Sequence, residues 1–482
     1  MLPPSSDRND RRDKLLALAR TVASVVREFA EEKRSILLVT HFDADGISAG
    51  SILLTAIRRL EPPVHIRAVD SLSDKELEEL GNVDSDLIIF SDIGSGYLSQ
   101  IGNILQHKQV IVTDHHQALG NPPDNCYHFN THLLGFDGSA EISGAGTAYL
   151  LAKTIDNQNR DLSAMALVGC LGDQQDKGPK RSLNGLNREI LEDATEMKLV
   201  EVAQDLILFG RQTRPIHRAI AATTAPFLPG LSGEEDRCLA LLDSVNIPAK
   251  VDDRWRAIVD LSTEEKRKLV DQIIRHIISL NASGEIALDL IGSVYTLTRE
   301  DPWTPLRDAR EFATLLNACG RMGKPGLGIA LGAGDRGAAF EEAQQVYATY
   351  RKWLAKYMSW LTTDSSALKR KGHVVVVRGE GVIEENMTGA VSSLVSSSNL
   401  FGESQITIVV TLTRTGEAKV STRATDLLIA RGVNLGRILQ ELAPRFGGNG
   451  GGHAIAAGAT LESEKLDTFL EQFCKTVESV LS

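Results

Sequence analysis

SILLVTHFDADG, residues Ser35–Gly46, decides the fold. A short apolar run ends directly in His-x-Asp-x-Asp-Gly, which reads as a strand buried on both faces and followed by a tight turn. Two later stretches share the design: DLIIFSDIGSG (Asp86–Gly96) and QVIVTDHH (Gln109–His116). Helical apolar spacing lies between them, as in Ile47–Leu60. This alternation predicts an α/β fold with a parallel sheet, whose ligand site lies beyond the carboxyl ends of its strands. All three polar clusters are therefore expected to meet at one edge.

Outward from this core, Asp13–Glu32 has helical spacing, and the first dozen residues are expected to be disordered. From Leu183 to Leu280 the apolar spacing is mostly helical, broken by the Pro-rich TTAPFLPGLSG at Thr223–Gly233, which reads as a connection between subdomains. A second long helical segment, Gly337–Leu361, leads into LTTDSSALKRKG, read as a linker. The strand-like HVVVVRG (His373–Gly379) and QITIVVTL (Gln405–Leu412) then open a smaller C-terminal α/β domain. The expected division is residues 1–215, a largely helical connector 216–368, and a C-terminal domain 369–482.

The chain has 482 residues, with 52 Lys+Arg against 63 Asp+Glu and a formal charge of −11, which excludes coating nucleic acid by bulk charge. A local groove of Lys and Arg can still bind it. No apolar run reaches the roughly 18 residues of a membrane span, and the polar start lacks an apolar signal core. The five cysteines form no Cys-x-x-Cys pair, which argues against a disulfide framework and a thiolate zinc site and for a cytoplasmic protein.

Asp43 and Asp45 flank one residue at a strand tip, with His41 in phase two residues earlier and Gly46 permitting the turn. Asp92 ends the second run; Asp114, His115 and His116 end the third; Asp173 closes the helical AMALVGCLGD. Carboxylates converging on one edge repel unless cations neutralise them. Oxygen mixed with imidazole suits Mn²⁺ or Mg²⁺, and a carboxylate shared by two ions is the arrangement that serves phosphoryl chemistry. Asp92, alone between the paired acids and the histidines, is the expected bridge. Asp and Gly are also ordinary turn residues, but three such clusters at consecutive strand ends are hard to assign to turns alone. His65, His107, His217, His276 and His373 have no such company and read as surface or satisfied histidines; His128 and His132 lie near the same edge without a clear role.

GGNGGGHAIAAGA, Gly447–Ala459, supplies a second constellation: Gly450, Gly451 and Gly452 admit close approach of an anion to backbone N–H groups, and His453 adds a donor. Arg423, in KVSTRAT, can fork onto a phosphate. A packed or flexible hairpin loop is the competing reading. GLGIALGAG (Gly326–Gly334) has the wrong glycine spacing for a dinucleotide loop, and no P-loop sequence occurs, so a helicase motor is excluded.

HFDADG, SDIGSG, TDHH, LGD and GGNGGGHAIAAG, in this order, resemble the DHH phosphoesterase superfamily with its DHH-associated C-terminal domain. The length and REFATLLNACGRMGKP (Arg310–Pro325) are most similar to archaeal RecJ-like exonucleases, including the GINS-associated type. The resemblance implies two Mn²⁺ or Mg²⁺ ions held by His41, Asp43, Asp45, Asp92, His115 and Asp173, with Asp92 bridging. It implies that His116 contacts the scissile phosphate, that Asp114 orients its neighbours, and that Arg423, His453 and the glycines grip the substrate. Bacterial RecJ usually has an acid where this chain has His41, and its appended oligonucleotide-binding domain has no evident counterpart here.

The expected function is a metal-dependent, single-strand-specific exonuclease acting on DNA or RNA by a two-metal mechanism, in replication or repair, with the GINS replication complex as a candidate partner. One rival is a phosphodiesterase of short oligonucleotides or cyclic dinucleotides, and the additional residues between the domains favour a longer substrate or a protein partner. Another is a non-catalytic GINS-binding scaffold. Loss of ligands would mark that fate, yet each motif position keeps a competent one.

Overall fold

The computed structural model describes residues 5–223, 226–280, 286, 289–364, 367–397 and 405–481. It divides into two compact units, one built mainly from residues 1–219 and 289–347 and the other mainly from 348–482. The expected Thr223–Gly233 connection and the Leu361–Gly372 linker fall partly outside the described residues.

The first unit holds five parallel strands, β1 (Ile36–His41), β2 (Val64–Val69), β3 (Leu87–Ser91), β4 (Gln109–Asp114) and β5 (Cys126–Asn130), in spatial order β2-β1-β3-β4-β5. The chain moves outward from β1 to β2 and then returns to the other side of β1 to form β3. The order therefore reverses between β1 and β3, the crevice where doubly wound sheets bind ligands. Alternate residues of the central strands face opposite layers. Leu37, Val39, Ile88, Phe90, Val110 and Val112 pack with Leu77 and Leu80 of helix 74–81 and Leu98 and Ile101 of helix 98–104. Leu38, Ile89 and Ile111 point the other way and are equally buried. Cover on both faces explains why these strands are apolar throughout instead of alternating with polar residues.

The helices that matter for the site are α1 (Ser5–Glu31), α2 (Ala44–Arg58), α3 (Asp74–Gly81), α4 (Leu98–Ile104), α5 (Gly144–Ile155) and α6 (Ser163–Gly172). Helix α1 starts at Ser5, so the expectation of disorder over the first dozen residues is corrected from that residue on, residues 1–4 lying outside the described residues. Arg11 donates to Gly135 O at 2.7 Å and Arg12 pairs with Glu189 at 3.0 Å, which ties the polar start of the helix down. The stretch expected to be mostly helical after Leu183 contains a strand, Val200–Leu206, paired antiparallel with Ile291–Leu297. Its partner is distant in sequence, so no local pattern announces it. GLGIALGAG lies largely within the helix Pro325–Gly332, not in a nucleotide loop.

The second unit carries a six-stranded mixed sheet ordered Leu368–Lys371, Val374–Arg378, Ile406–Leu412, Ala418–Arg423, Ala456–Leu461, Asn449–Gly452. Leu368–Lys371, within the expected linker, is thus an edge strand. Val376, Ile408 and Val420 pack with Leu439, Phe469 and Phe473. All five cysteines are free, and among the described residues no helix is long and apolar enough to cross a membrane.

Helix Ala309–Arg321 contains a buried acid, Glu311, which accepts from Gln212 N–H at 2.6 Å and Thr213 Oγ1 at 2.7 Å. Burial, with Asp308 adding repulsion, pushes its carboxyl up to about 7. The folded state therefore keeps this proton to a higher pH than the unfolded chain, and stability falls as pH rises from the ordinary glutamate range towards 7. Glu311→Gln keeps the acceptor and offers its amide to Thr213, so the variant is expected to lose this slope. Its gain over wild type should grow to on the order of 3 kcal/mol by pH 8, read by denaturant unfolding at pH 4.5 and 8. Parallel wild-type and variant profiles would refute the assignment.

Candidate metal centre

The strand register builds the site. Thr40 pairs with Ser91 and Ser91 with Thr113, so His41, Asp92 and Asp114 are the next residues along three neighbouring strands. Beyond His41 the chain turns at once into α2. Asp43 caps that helix by accepting from Gly46 N–H at 3.0 Å, and a Cβ on residue 46 would lie 2.4 Å from His41 O, so the turn requires glycine. Asp45, in the first turn, accepts from Gly144 N–H at 2.6 Å and Ala145 N–H at 3.0 Å, the start of α5. Helix N-termini favour such anions. A Cβ on Gly144 would stand 2.3 Å from Asp92 Oδ1, so only glycine lets α5 approach this closely.

Six of the predicted residues come together in two groups, within each of which ligand-capable atoms lie within 4.8 Å of one another: His41, Asp43 and Asp92; and Asp45, His115 and Asp173. His41 Nδ1 is 3.1 Å from Asp43 Oδ1 and 3.9 Å from Asp92 Oδ2. His115 Nε2 is 3.1 Å from Asp92 Oδ1 and 3.7 Å from both Asp45 Oδ2 and Asp173 Oδ2. Asp92 thus turns one oxygen to each group. It sits in the left-handed region at φ 59°, held by its N–H on Thr113 O at 3.0 Å. Strain of this kind concentrates at functional positions.

Asp114 and His116 adjoin these groups, forming with Asp92 and His115 a further cluster within 4.8 Å. Buried Asp114 accepts from the N–H groups of Ser95 (3.0 Å), His115 (2.8 Å) and His116 (3.2 Å) and from His116 Nδ1 (2.7 Å). It therefore fixes the loop and the His116 ring, and the half-exposed His116 is the member able to meet a ligand. His115 is oriented by Nδ1 on Gly138 O at 2.7 Å; a carbonyl only accepts, so Nδ1 carries the hydrogen and Nε2 faces the carboxylates. His128 proves to be buried, with Nε2 2.9 Å from Ser95 Oγ, behind Asp114.

The electrostatics are those of crowded acids. Burial first, then the carboxylates of Asp45 and Asp43, push Asp92 well above the usual carboxylate range. Burial and Asp45 do the same to Asp173, and burial chiefly raises Asp45. Against its own burial, His41 is lifted to about 9 by Asp43 and Asp92, while Asp43 is drawn down by His41 against the same opposing burial. Protons here do the neutralising that cations could do. Asp92 Oδ1, although buried, accepts no hydrogen bond among the described residues. That orphaned oxygen and the mixed carboxylate–imidazole donors fit hard divalent cations of the Mn²⁺ or Mg²⁺ type.

Arg423, Gly450, Gly451, Gly452 and His453 belong to the second unit. The glycines lie in an edge strand, Asn449–Gly452, paired antiparallel with Ala456–Leu461. A Cβ on Gly450 would fall 2.8 Å from Leu439 O, so the close packing there excludes a side chain, whereas one on Gly451 would meet no described atom within 4 Å. Arg423 pairs across the sheet with Ala456, and His453 N–H donates to Ala456 O at 2.8 Å, so both stand at the same sheet end. The Arg423 guanidinium donates to Ser393 Oγ at 2.9 Å and Thr422 O at 2.8 Å.

Sequence reading did not single out Ser95, Gly138 or Asn317, whose Oδ1 accepts Ala44 N–H at 3.1 Å and anchors the HFDADG turn. Ser95 and Gly138 act through a backbone N–H and a carbonyl on partners 19 and 23 residues away, and Asn317 lies far along the chain, so motif spacing carries no signal for them.

A parallel sheet whose acids and histidines gather at the β1–β3 switch point defines a phosphoesterase-type site. The sequence comparisons agree. The DHH family N-terminal domain matches residues 35–172, the DHH-CID domain 208–291 and the DHHA1 domain 371–479. An uncharacterized protein of Methanocaldococcus jannaschii is 30% identical over 471 residues, covering 95% of this chain and 97% of its own. The chain belongs to the DHH family of phosphoesterases. Among solved structures, CDC45 from Entamoeba histolytica superposes with TM-score 0.65 at 13% identity over 96% of this chain and 99% of its own. RecJ from Thermus thermophilus, in complex with Mn²⁺, superposes with TM-score 0.57 at 18% identity over 96% of this chain. This chain spans 55% of that RecJ.

Proposed function

We propose that the protein is a metal-dependent exonuclease that hydrolyses phosphodiester bonds of single-stranded DNA or RNA. The observation that carries this reading is Asp92, a buried acid in a strained conformation with one oxygen turned to each of two ligand groups. His41, Asp43 and Asp92 would hold one divalent cation and Asp92, Asp45, His115 and Asp173 the second; the imidazoles favour Mn²⁺. When bound, such a pair lowers the pKa of water and stabilises charge on a phosphate. The chain's own residues do the rest. His116, its ring fixed by Asp114, would contact the scissile phosphate, donating from its second nitrogen when the ring is protonated. Arg423, His453 and Gly450–Gly452 hold the nucleic-acid strand. The division into residues 1–215, 216–368 and 369–482 is proposed as catalytic domain, connector and substrate domain. A cytoplasmic role in replication or repair, with GINS as a partner, completes the proposal.

The test is to incubate the protein with Mn²⁺ and single-stranded DNA or RNA labelled at either end. A ladder shortening from one end is expected. Cleavage confined to dinucleotides or cyclic dinucleotides would replace this reading with the short-substrate one, and no turnover of any phosphodiester would favour a scaffold.

Arg423→Ala is expected to lower kcat/KM on long strands by roughly ten- to a hundredfold, the loss of one charge-assisted phosphate contact. A dinucleotide should suffer less, and the salt dependence of binding should flatten. Wild-type kinetics on long strands would remove Arg423 from the substrate contacts.

A further inference from the structure

The carbonyl that orients His115 is itself held from behind. Gln175, fully buried, donates from Nε2 to Gly138 O at 2.9 Å and to Ile142 O at 3.3 Å, and its Oε1 accepts from buried Asn187 Nδ2 at 2.7 Å. Asn187 also gives its N–H to Glu141 O at 2.9 Å. One amide side chain therefore fixes both ends of the segment 138–142. At one end, Gly138 O sets the His115 ring. At the other, the chain passes through Ser143, the N-cap of α5, to the two N–H groups that grip Asp45. Gln175 also lies only two residues beyond Asp173.

Two members of the Asp45–His115–Asp173 group, His115 and Asp45, thus trace to the same side chain, and the third, Asp173, stands two residues before it. The other group is held elsewhere: Asp43 by Gly46 N–H, and its turn by Asn317 on Ala44 N–H. The chemistry at position 175 is specific, because only an amide donates to two carbonyls while accepting from a third group. Leu or Met would fill the same space if packing were its purpose.

We propose that Gln175, backed by Asn187, is a positioning residue for the Asp45–His115–Asp173 cation site and sets the affinity of that site independently of the His41–Asp43 site. The proposal rests on the metal-binding reading above. Partners one step behind a ligand typically change metal affinity by ten- to a hundredfold.

Gln175→Glu keeps the size and the acceptor for Asn187 but places an oxygen against two carbonyl oxygens. Mn²⁺ titrations of wild type and variant, by calorimetry and by electron paramagnetic resonance, are paired with thermal unfolding of the metal-free proteins. Wild type is expected to bind two Mn²⁺. The variant should weaken one site by about ten- to a hundredfold and leave the other within about twofold, and the same loss should persist in a His41→Ala background. If Gln175→Glu lacks a cooperative unfolding transition, Gln175→Met, which adds no charge, decides by the same titration. An isotherm matching wild type, or equal weakening of both sites, would overturn the positioning role. Wild-type protein that binds no Mn²⁺ would instead overturn the metal reading itself.

Discussion

Asp92→Asn protein is expected to turn over phosphodiesters at least ~10³-fold more slowly than wild type, a loss of about 4 kcal/mol of transition-state stabilisation. The reason is geometric. Asp92 Oδ1 stands 3.1 Å from His115 Nε2 and Oδ2 3.9 Å from His41 Nδ1, so it is the residue whose two oxygens reach both ligand groups. Losing it weakens both sites, whereas losing Asp43 or Asp173 weakens one. Stability should move the other way. Burial and the neighbouring acids already oppose ionisation of Asp92, and asparagine tolerates its left-handed backbone, at φ 59°. The metal-free variant should therefore unfold at or above the wild-type temperature. This opposition of activity and stability is the signature of a residue kept for function. Steady-state kinetics with Mn²⁺ and calorimetric unfolding of metal-free protein check both halves. Near-normal Mn²⁺-dependent turnover would remove the bridging assignment, and a large fall in metal-free stability would make Asp92 a structural acid.

The central strands were legible because cover on both faces forces apolar runs, and each run ends where its functional residue begins. Asp43, Asp92 and His115 could be placed at one edge from that alone, since parallel strands put all their carboxyl ends together. The strand Val200–Leu206 was not legible: five of its seven residues are exposed or half-buried, and its partner begins at Ile291. The glycine-rich segment was not legible as a strand for a different reason. Glycine permits a loop and a strand alike, and its pairing with Ala456–Leu461 is a matter of backbone register that composition does not carry. Gly138 and Gln175 were invisible because their roles depend on a carbonyl and an amide meeting in space.

Exhaustive chelation is expected to reduce hydrolysis to background and to lower the unfolding temperature, with Mn²⁺ restoring both at least as well as Mg²⁺. Asp43, Asp45, Asp92 and Asp173 share two small groups whose imidazoles are His41 and His115. In the metal-free protein this charge is balanced by keeping protons on groups that would ordinarily release them, as the upward displacement of Asp92, Asp173 and His41 indicates. A ligand that binds only the folded state adds about 2.7 kcal/mol at a hundredfold excess over its Kd. Cations replacing those protons should therefore raise stability in steps that saturate with Mn²⁺ concentration. The imidazoles of His41 and His115 are softer donors than carboxylate oxygen, which places Mn²⁺ above Mg²⁺ in affinity. Thermal unfolding across a Mn²⁺ titration, beside initial rates on end-labelled single strands, measures both effects on one sample. Activity that survives chelation would leave the two-metal mechanism untenable, and an unfolding temperature indifferent to Mn²⁺ would show that the acid cluster is balanced by protons alone.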